Sequence, residues 1–466
     1  LAAQQKRRNI VFILSDDHRY DFIGAMGHPW LKGKTPNMDR MVNQGIHFQN
    51  AFVTTSLCSP SRASILTGLY VHKHGVANNT TALSPEVATF PKLLQNAGYR
   101  TGFIGKWHMG GDSDAPRPGF DHWFSFRGQG TYENPVMNRN GRRAKTTGYV
   151  SDVLDQEALS FLRESKDQPF CLYLSHKNVH GPFDPPERYK GVFRNHEIPY
   201  PDTYPNIPEN NEGKPDWVLK QRNSWHGADG VQAVPGGFEA MYRGYCEALL
   251  AVDESIGRIR AELEKLGLLQ DTLLVYMGDN GYQHGEHGLA DKRTAYEESM
   301  RVPLMAECPW LAPAGRKVSQ LVINTDIAPT FLEIAGVPVP QGLQGASCVP
   351  LMAGKPASWR NEFVYFYTWE WEAPQTPTIF ALRTEQYSFI KTRGVWDRYE
   401  IYDILKDPRQ KNNLLAKVYN GYRYGVMGRH IADPALKKLY DDLDGRLAEE
   451  MKRLGLRDVP SFSATP

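Results

Sequence analysis

The sequence predicts an α/β fold: a large mixed, mostly parallel sheet between helices, followed by a smaller C-terminal antiparallel sheet plus helix. Three observations predict it. Short β-branched and aromatic runs alternate with helix-length periodic stretches over the first 354 residues. Several of those runs stop abruptly at polar clusters, where parallel sheets place their ligands. After about Gly354 the rhythm changes to closely spaced short strands and a final helix. The expected organisation is a large α/β domain over residues 1–354 and a smaller α+β unit over 355–466.

Residues 9–15 read as a buried strand that ends at Asp16-Asp17-His18. Residues 35–45 carry helix punctuation, with a Thr cap, Pro36 in the first turn and Gly45 at the end. Residues 89–98 repeat it. A second strand, 100–104, runs into Gly105-Lys106-Trp107-His108. Helical periodicity over 152–164 precedes a strand at 170–174, which ends near His176 and His180. A helix within 239–266 leads to a strand at 273–277 and then Gly278-Asp279-Asn280-Gly281. Residues 302–306 read as a strand and 326–335 as a helix. Residues 184–236, rich in Pro, Asn, Gly, Trp and charge, read as a long irregular insertion. The C-terminal part is expected to hold strands at 363–367, 379–384, 387–392 and 399–402, then a helix over 434–454.

A chain of 466 residues can bury a sizeable core without disulfide or metal staples. Its 54 Lys+Arg against 52 Asp+Glu leave a net charge of +2, too little field for non-specific nucleic-acid binding. No apolar run exceeds five residues, as at 10–14, against the ~18–20 of a membrane helix, so no membrane span is expected. Five scattered cysteines make neither a disulfide framework nor a zinc spacing. Leu1-Ala2-Ala3-Gln4-Gln5 resembles the remnant of signal-peptide cleavage and reads equally well as a frayed terminus.

The most specific feature is Cys58-Ser59-Pro60-Ser61-Arg62, continued by Ala63-Ser64-Ile65-Leu66-Thr67-Gly68. Taken alone, Cys58 reads as a small buried residue before a helix, or as a low-pKa thiolate beside an Arg and a helix start. Neither accounts for the Leu-Thr-Gly continuation. The whole run resembles the type I sulfatase family, in which the Cys of C-x-P-S-R-x-x-x-L-T-G is oxidised after translation to formylglycine. The resemblance continues through residues 10–17, Gly105-Lys106-Trp107-His108, 178–183, 278–303 and 402–414, in family order over nearly the whole chain. It implies an alkaline-phosphatase-like fold and a sulfuric ester hydrolase. It also implies a formylglycine-generating or sulfatase-maturing enzyme as partner, and a periplasmic or secreted location.

The chemistry accounts for the residue types. Asp16, Asp17, Asp279 and Asn280 supply hard oxygen ligands suited to Ca²⁺ or Mg²⁺. The resemblance favours Ca²⁺, with an oxygen of modified Cys58 completing the site. A hydrated aldehyde at position 58 carries two hydroxyls. One attacks sulfur and expels the alcohol, giving a covalent sulfo-enzyme; deprotonation of the other then expels sulfate. A Ser or Cys nucleophile has no second hydroxyl for that exit. Arg62, Lys106 and Lys292 are the cations expected around the nucleophile and the sulfate oxygens. By motif match, His108 resembles the base that helps break the hemiacetal, and His180 the acid that protonates the leaving alcohol.

The expected substrate is a sulfated carbohydrate, an oligosaccharide or polysaccharide fragment. Arg127, His176 and His284 are candidate substrate contacts. Trp225-His226, Trp369-Glu370-Trp371-Glu372, Arg393 and Trp396 add aromatic faces and polar groups that suit sugars. Their alternative reading is as core aromatics and ordinary surface charges. The rival activities are an arylsulfatase and a phosphonate or phosphate-ester hydrolase of the same superfamily, which share the tetrahedral chemistry. A plain Cys hydrolase and a non-catalytic carbohydrate binder fit the motifs less well.

Overall fold

The first strand shows how the molecule is layered. In Asn9–Ser15 every residue is buried, and alternate side chains enter two different cores. Ile10, Phe12 and Leu14 pack on one face of the sheet, Val11 and Ile13 on the other. A strand covered on both faces has to be apolar throughout, which is why it reads as an unbroken run. The computed structural model describes residues 7–111, 113–355, 358–393, 398–419 and 431–458. The stretch Leu1-Ala2-Ala3-Gln4-Gln5 lies outside the described residues.

The strands, in chain order, are β1 Asn9–Ser15, β2 Ile46–Phe52, β3 Arg100–Lys106, β4 His122–Phe126, β5 Val136–Arg139 and β6 Arg142–Lys145. Then come β7 Phe170–Ser175, β8 Thr272–Gly278, β9 Gln283–His284, β10 Ala290–Asp291, β11 Leu304–Glu307 and β12 Arg316–Ile323. The last four are β13 Glu362–Tyr367, β14 Thr378–Thr384, β15 Tyr387–Arg393 and β16 Glu400–Asp403. Ten of them form one sheet in the order β12-β2-β11-β8-β1-β7-β3-β4-β5-β6. Its centre, β8-β1-β7-β3-β4, is parallel throughout, while β11, β5 and β6 run antiparallel to their neighbours. β9 and β10 pair as a two-residue ribbon, and β13 to β16 make a four-stranded antiparallel meander. The expected α/β class and its smaller C-terminal sheet are both present.

The helices Val150–Ser165 and Gly237–Lys265 cover one face of the large sheet. The helices Cys58–Thr67 and Ile327–Ile334 cover the other, and the meander joins their core through Val364, Phe366 and Phe380. Sequence reading passed over β2, β4 to β6 and β12. These strands carry more polar side chains, and β6, Arg-Arg-Ala-Lys, is exposed along its whole length. Charge on an edge strand discourages pairing with another chain, at the cost of an apolar pattern.

Residues 184–236 also differ from expectation. They contain the short helices Pro208–Asn211, Asp216–Gln221 and Ala228–Gln232 rather than only irregular chain. Buried polar anchors hold the segment: Lys214 Nζ donates to Tyr402 Oη at 2.6 Å and to Gln410 O at 2.9 Å. Such anchors leave no hydrophobic period to read. Among the described residues no helix is long and apolar enough to cross a membrane.

Candidate active site

Four neighbouring parallel strands, β8, β1, β7 and β3, end on the same edge of the sheet. That alignment brings residues far apart in the chain together. Ser15 pairs with Gly278, so Asp16-Asp17 and Asp279-Asn280 emerge side by side. The Asp17 backbone N–H donates to Asp279 Oδ1 at 2.9 Å, and Asn280 Nδ2 donates to Asp17 Oδ1 at 2.7 Å. Oxygens of Asp16, Asp17 and Asp279 lie within 4.8 Å of one another, and all three residues are buried.

The helix Cys58–Thr67 meets this edge with its N-terminus. All ten of its residues are buried, and small side chains on most of its surface allow the close approach. Cys58, the first helical residue, places Sγ 3.4 Å from Asp16 Oδ1 and 4.0 Å from Asp17 Oδ1. One turn on, Arg62 donates through Nε to Asp279 Oδ2 at 2.9 Å, and its Nη2 lies 2.8 Å from the same oxygen as an ion pair. Its Nη1 donates to Lys106 O at 2.7 Å and to Ser175 Oγ at 2.6 Å, tying the helix to β3 and β7.

Two ammonium groups complete the cluster. Lys106, at the end of β3, pairs with Asp16, and Lys292, carried in by the β9–β10 ribbon, pairs with Asp17. His108 Nδ1 lies 3.2 Å from Ser59 Oγ, and His180 Nε2 lies 3.8 Å from Asp17 Oδ2. The structure thus gathers Asp16, Asp17, Cys58, Arg62, Lys106, His108, His180, Asp279, Asn280 and Lys292 at one place.

The electrostatics follow from crowding buried charges. Burial pushes the Asp279 carboxyl up, and the neighbouring Asp16 adds to the shift. For Asp16 burial acts the same way, but Lys106, His180 and Arg62 override it and hold the carboxyl well below its usual range. Burial, then Asp16, pushes the Cys58 thiol up, so an unmodified Cys58 is a neutral thiol and a poor nucleophile at neutral pH. Burial and then Lys106 push both His108 and His180 down. The backbone is constrained as well. Asp17, His108, Asp291 and Arg293 hold φ of 57°, 65°, 77° and 78°. Left-handed φ costs a non-glycine residue about 1–3 kcal/mol and persists only where the surroundings enforce it.

The donor set fits a hard divalent cation. Three buried carboxylates share one small volume, and Asn280 Oδ1 is buried with no hydrogen-bond partner. Oxygens alone make up the acidic cluster, as Ca²⁺ and Mg²⁺ prefer.

Residues 8–337 match the family model described as Sulfatase. The chain belongs to the sulfatase family. A second model, described as N-sulphoglucosamine sulphohydrolase, C-terminal, matches residues 285–424. Among individual proteins, this sulfatase is 34% identical to the N-acetylglucosamine-6-O-sulfatase of Bacteroides thetaiotaomicron, over 89% of this chain and 84% of that one. It is 31% identical to the N-acetylglucosamine-6-sulfatase of Homo sapiens, over 89% of this chain and 82% of that one. A solved structure in complex with its substrate D-glucosamine-2-N,6-O-disulfate superposes with a TM-score of 0.84 at 32% identity, covering 97% of this chain and 98% of that chain. This sulfatase is therefore a sulfuric ester hydrolase, of a family that uses formylglycine and a metal.

Of the expected substrate contacts, Arg127 emerges exposed from β4, beside the end of β3, since Lys106 pairs with Phe126. His176 does not reach the site. Along β7 the side chains alternate: Ser175 faces Arg62, and His176 turns to the opposite face. There its Nε2 lies 2.9 Å from Ser255 Oγ, on the long helix, with no exposure. His284 is likewise enclosed, 1% exposed among Phe22, Tyr242, Tyr245 and Tyr282, because the ribbon turns it inward. Arg393 bonds Tyr399 Oη at 2.7 Å and Asp458 at the end of β15, and Trp396 lies outside the described residues.

Sequence reasoning named His226 and Glu370 within sugar-facing segments but missed the charged cluster they form with Asp291 and Arg293 beside Lys292. Arg293 pairs with Asp291 and, through Nε, with Glu370 Oε1 at 2.6 Å; His226 Nδ1 lies 2.8 Å from Asp291 Oδ2. Asp291 and Arg293 flank Lys292 in the chain, and that adjacency was the available signal. Lys177 is a further buried cation, with Nζ 4.6 Å above the Tyr132 ring.

Burial keeps three histidines of this sulfatase neutral: His28, His74 and His176 are pushed down to about 4, 3 and 3. An unfolded imidazole titrates near 6.5, so below that pH the unfolded chain takes up protons that the native state refuses. Stability from these rings is complete above pH 6.5 and is lost as the pH falls towards the folded values. At pH 5 each ring removes about 2 kcal/mol. The buried carboxyls of Asp155, Asp253 and Glu298, pushed up to about 7, 6 and 8 first by desolvation, act in the opposite sense over the same interval. The imidazole NMR signals of the three rings report on them directly. They are expected not to titrate between pH 7 and pH 5, and a titrating signal contradicts neutral burial.

Proposed function

We propose that this sulfatase hydrolyses the 6-O-sulfate ester of glucosamine residues in glycosaminoglycan-type oligosaccharides. The observation that carries the reading is the likeness, over 97% of this chain, to the structure solved in complex with D-glucosamine-2-N,6-O-disulfate. Beside Lys292 the buried cluster of His226, Asp291, Arg293 and Glu370 braces the rim of the site, and the exposed Trp225 indole that packs over Arg293 suits a sugar. The sulfated glucosamine acted on or bound by the relatives narrows the sugar.

As formylglycine hydrate, position 58 supplies one hydroxyl to attack sulfur and a second whose deprotonation releases sulfate. Asp16, Asp17, Asp279 and Asn280 would hold the metal, which we assign as Ca²⁺, and its charge would lower the pKa of the attacking hydroxyl and balance that of the sulfate. Lys106 and Lys292 neutralise the sulfate oxygens. Arg62 spans Asp279, β3 and β7 and so positions the nucleophile helix against the ligands. His180, on the exposed side of the cluster with 22% of its side chain accessible, stands where the leaving alcohol departs and protonates it, the bound sulfate anion offsetting the burial and the Lys106 and Lys292 charges that hold its pKa down. His108, held by Ser59, takes the proton of the second hydroxyl. In this reading residues 1–354 carry the chemistry, and 355–466 contribute Glu370 and its neighbours to the rim. Maturation by a formylglycine-generating enzyme and a periplasmic or secreted location accompany it.

The test is sulfate release from a panel: glucosamine 6-sulfate, glycosaminoglycan and algal oligosaccharides, choline sulfate, an aryl sulfate and a matched phosphate ester. The 6-sulfated glucosamine substrates are expected to give the highest kcat/KM. An aryl sulfate or phosphate ester at least as efficient as every sugar would overturn the assignment.

A further inference from the structure

We propose that Trp225 and Trp371 form an aromatic subsite that stacks on the sugar ring glycosidically linked to the one bearing the reacting sulfate; this rests on the carbohydrate reading above. Trp225 is 59% exposed and Trp371 81%, whereas the other described tryptophans are buried or half-buried. They come from separate segments, the insertion and the turn after β13, and each segment reaches Arg293, the first through the Trp225 ring and the second through Glu370. The Arg293 guanidinium lies 5.7 Å from the centre of the Trp225 ring. Its Nε donates to Glu370, the residue before Trp371.

The two segments are braced towards each other. Thr376 Oγ1 donates to Gln221 Oε1 at 3.2 Å, linking the turn after β13 to the insertion. Trp369 meets Trp371 edge to face, with ring centres 5.0 Å apart, and its own indole N–H donates to Pro374 O at 3.0 Å. Arg293 directly follows Lys292, whose ammonium belongs to the catalytic cluster. The two segments that carry the indoles therefore meet at the residue next to Lys292 in the chain. Two indoles kept in water beside a polar rim have the amphipathic character that suits a pyranose, whose C–H face stacks while its hydroxyls bond outward.

The experiment compares kcat/KM for glucosamine 6-sulfate with that for a glycosaminoglycan tetrasaccharide ending in the same 6-sulfated residue. The ratio of the two is measured for the wild-type enzyme, the Trp225→Ala/Trp371→Ala double variant and Trp371→Phe. The wild type is expected to favour the tetrasaccharide about tenfold or more, the worth of one well-stacked ring. In the double variant the ratio is expected to fall about tenfold, chiefly through KM, and in Trp371→Phe to stay close to wild type. An unchanged ratio in the double variant, or no wild-type preference, overturns the subsite and leaves the carbohydrate reading standing. A double variant that loses both substrates in equal proportion also overturns it. Turnover of an aryl sulfate but of neither sugar removes the carbohydrate reading and the subsite together.

Discussion

The Cys58→Ser variant is expected to accept one sulfate and stop. Cys58 is fully buried at the start of its helix, with its thiol held neutral, and as cysteine it offers neither a hydroxyl nor a thiolate. A serine hydroxyl in the same place faces the same ligands and cations, so it can attack sulfur once. It then lacks the second hydroxyl needed to expel sulfate, and the ester persists. Steady-state turnover is expected to fall by about 10⁴–10⁶-fold, the usual result of removing a covalent nucleophile. Intact-protein mass spectrometry after incubation with substrate is expected to show a single added sulfate. In the active wild type, peptide mass spectrometry is expected to find an aldehyde at position 58, with sulfur replaced by oxygen and two hydrogens lost, or its hydrate. Full activity with wholly unmodified Cys58 removes the mechanism.

The second large effect belongs to Asp279. Its carboxylate accepts from Arg62 and from the Asp17 backbone, and shares one small volume with Asp16 and Asp17. Truncation to Ala strips Arg62 of a buried partner, a change that costs about 3–5 kcal/mol when a buried pair is broken. Asp279→Asn is the cleaner test, because it keeps an acceptor for Arg62 while removing one negative charge from the ligand set. We expect it to lower metal content, measured by elemental mass spectrometry on protein dialysed against a chelator. Turnover is expected to drop by at least about 10³-fold, since metal and nucleophile act as one unit. Undiminished metal content together with normal turnover excludes Asp279 from the ligand set.

The parts of the site legible in the sequence are those that lie at strand ends within contiguous motifs. Asp16-Asp17, Lys106 with His108, His180 and Asp279-Asn280 each follow an apolar run, and the Cys58 to Gly68 run stands out by its composition. His176 shows the limit of that reasoning. It follows a strand end as directly as Asp16 does, but the two-residue period of β7 turns it away from the nucleophile helix. Counting alternation from Cys171 and Tyr173, which enter the nucleophile-side core, assigns Ser175 to that face and His176 to the other.

The α/β class, the family and the contiguous motifs that carry the expected nucleophile and acidic ligands were legible in the sequence alone, because each is written locally. Periodicity reports which face of an element is buried, and a motif reports which groups are adjacent. Tertiary structure alone decided what those groups meet. The order β8-β1-β7-β3 places four strand ends on one edge. Glu370 reaches Arg293 across 77 residues, and the insertion brings His226 to Asp291. Only the fold enclosed His284 in aromatic side chains and left Trp225 and Trp371 in water. The physical reason is that burial and pairing across such separations depend on how sheets and helices stack, and local sequence carries no record of the partner until the chain has closed around it.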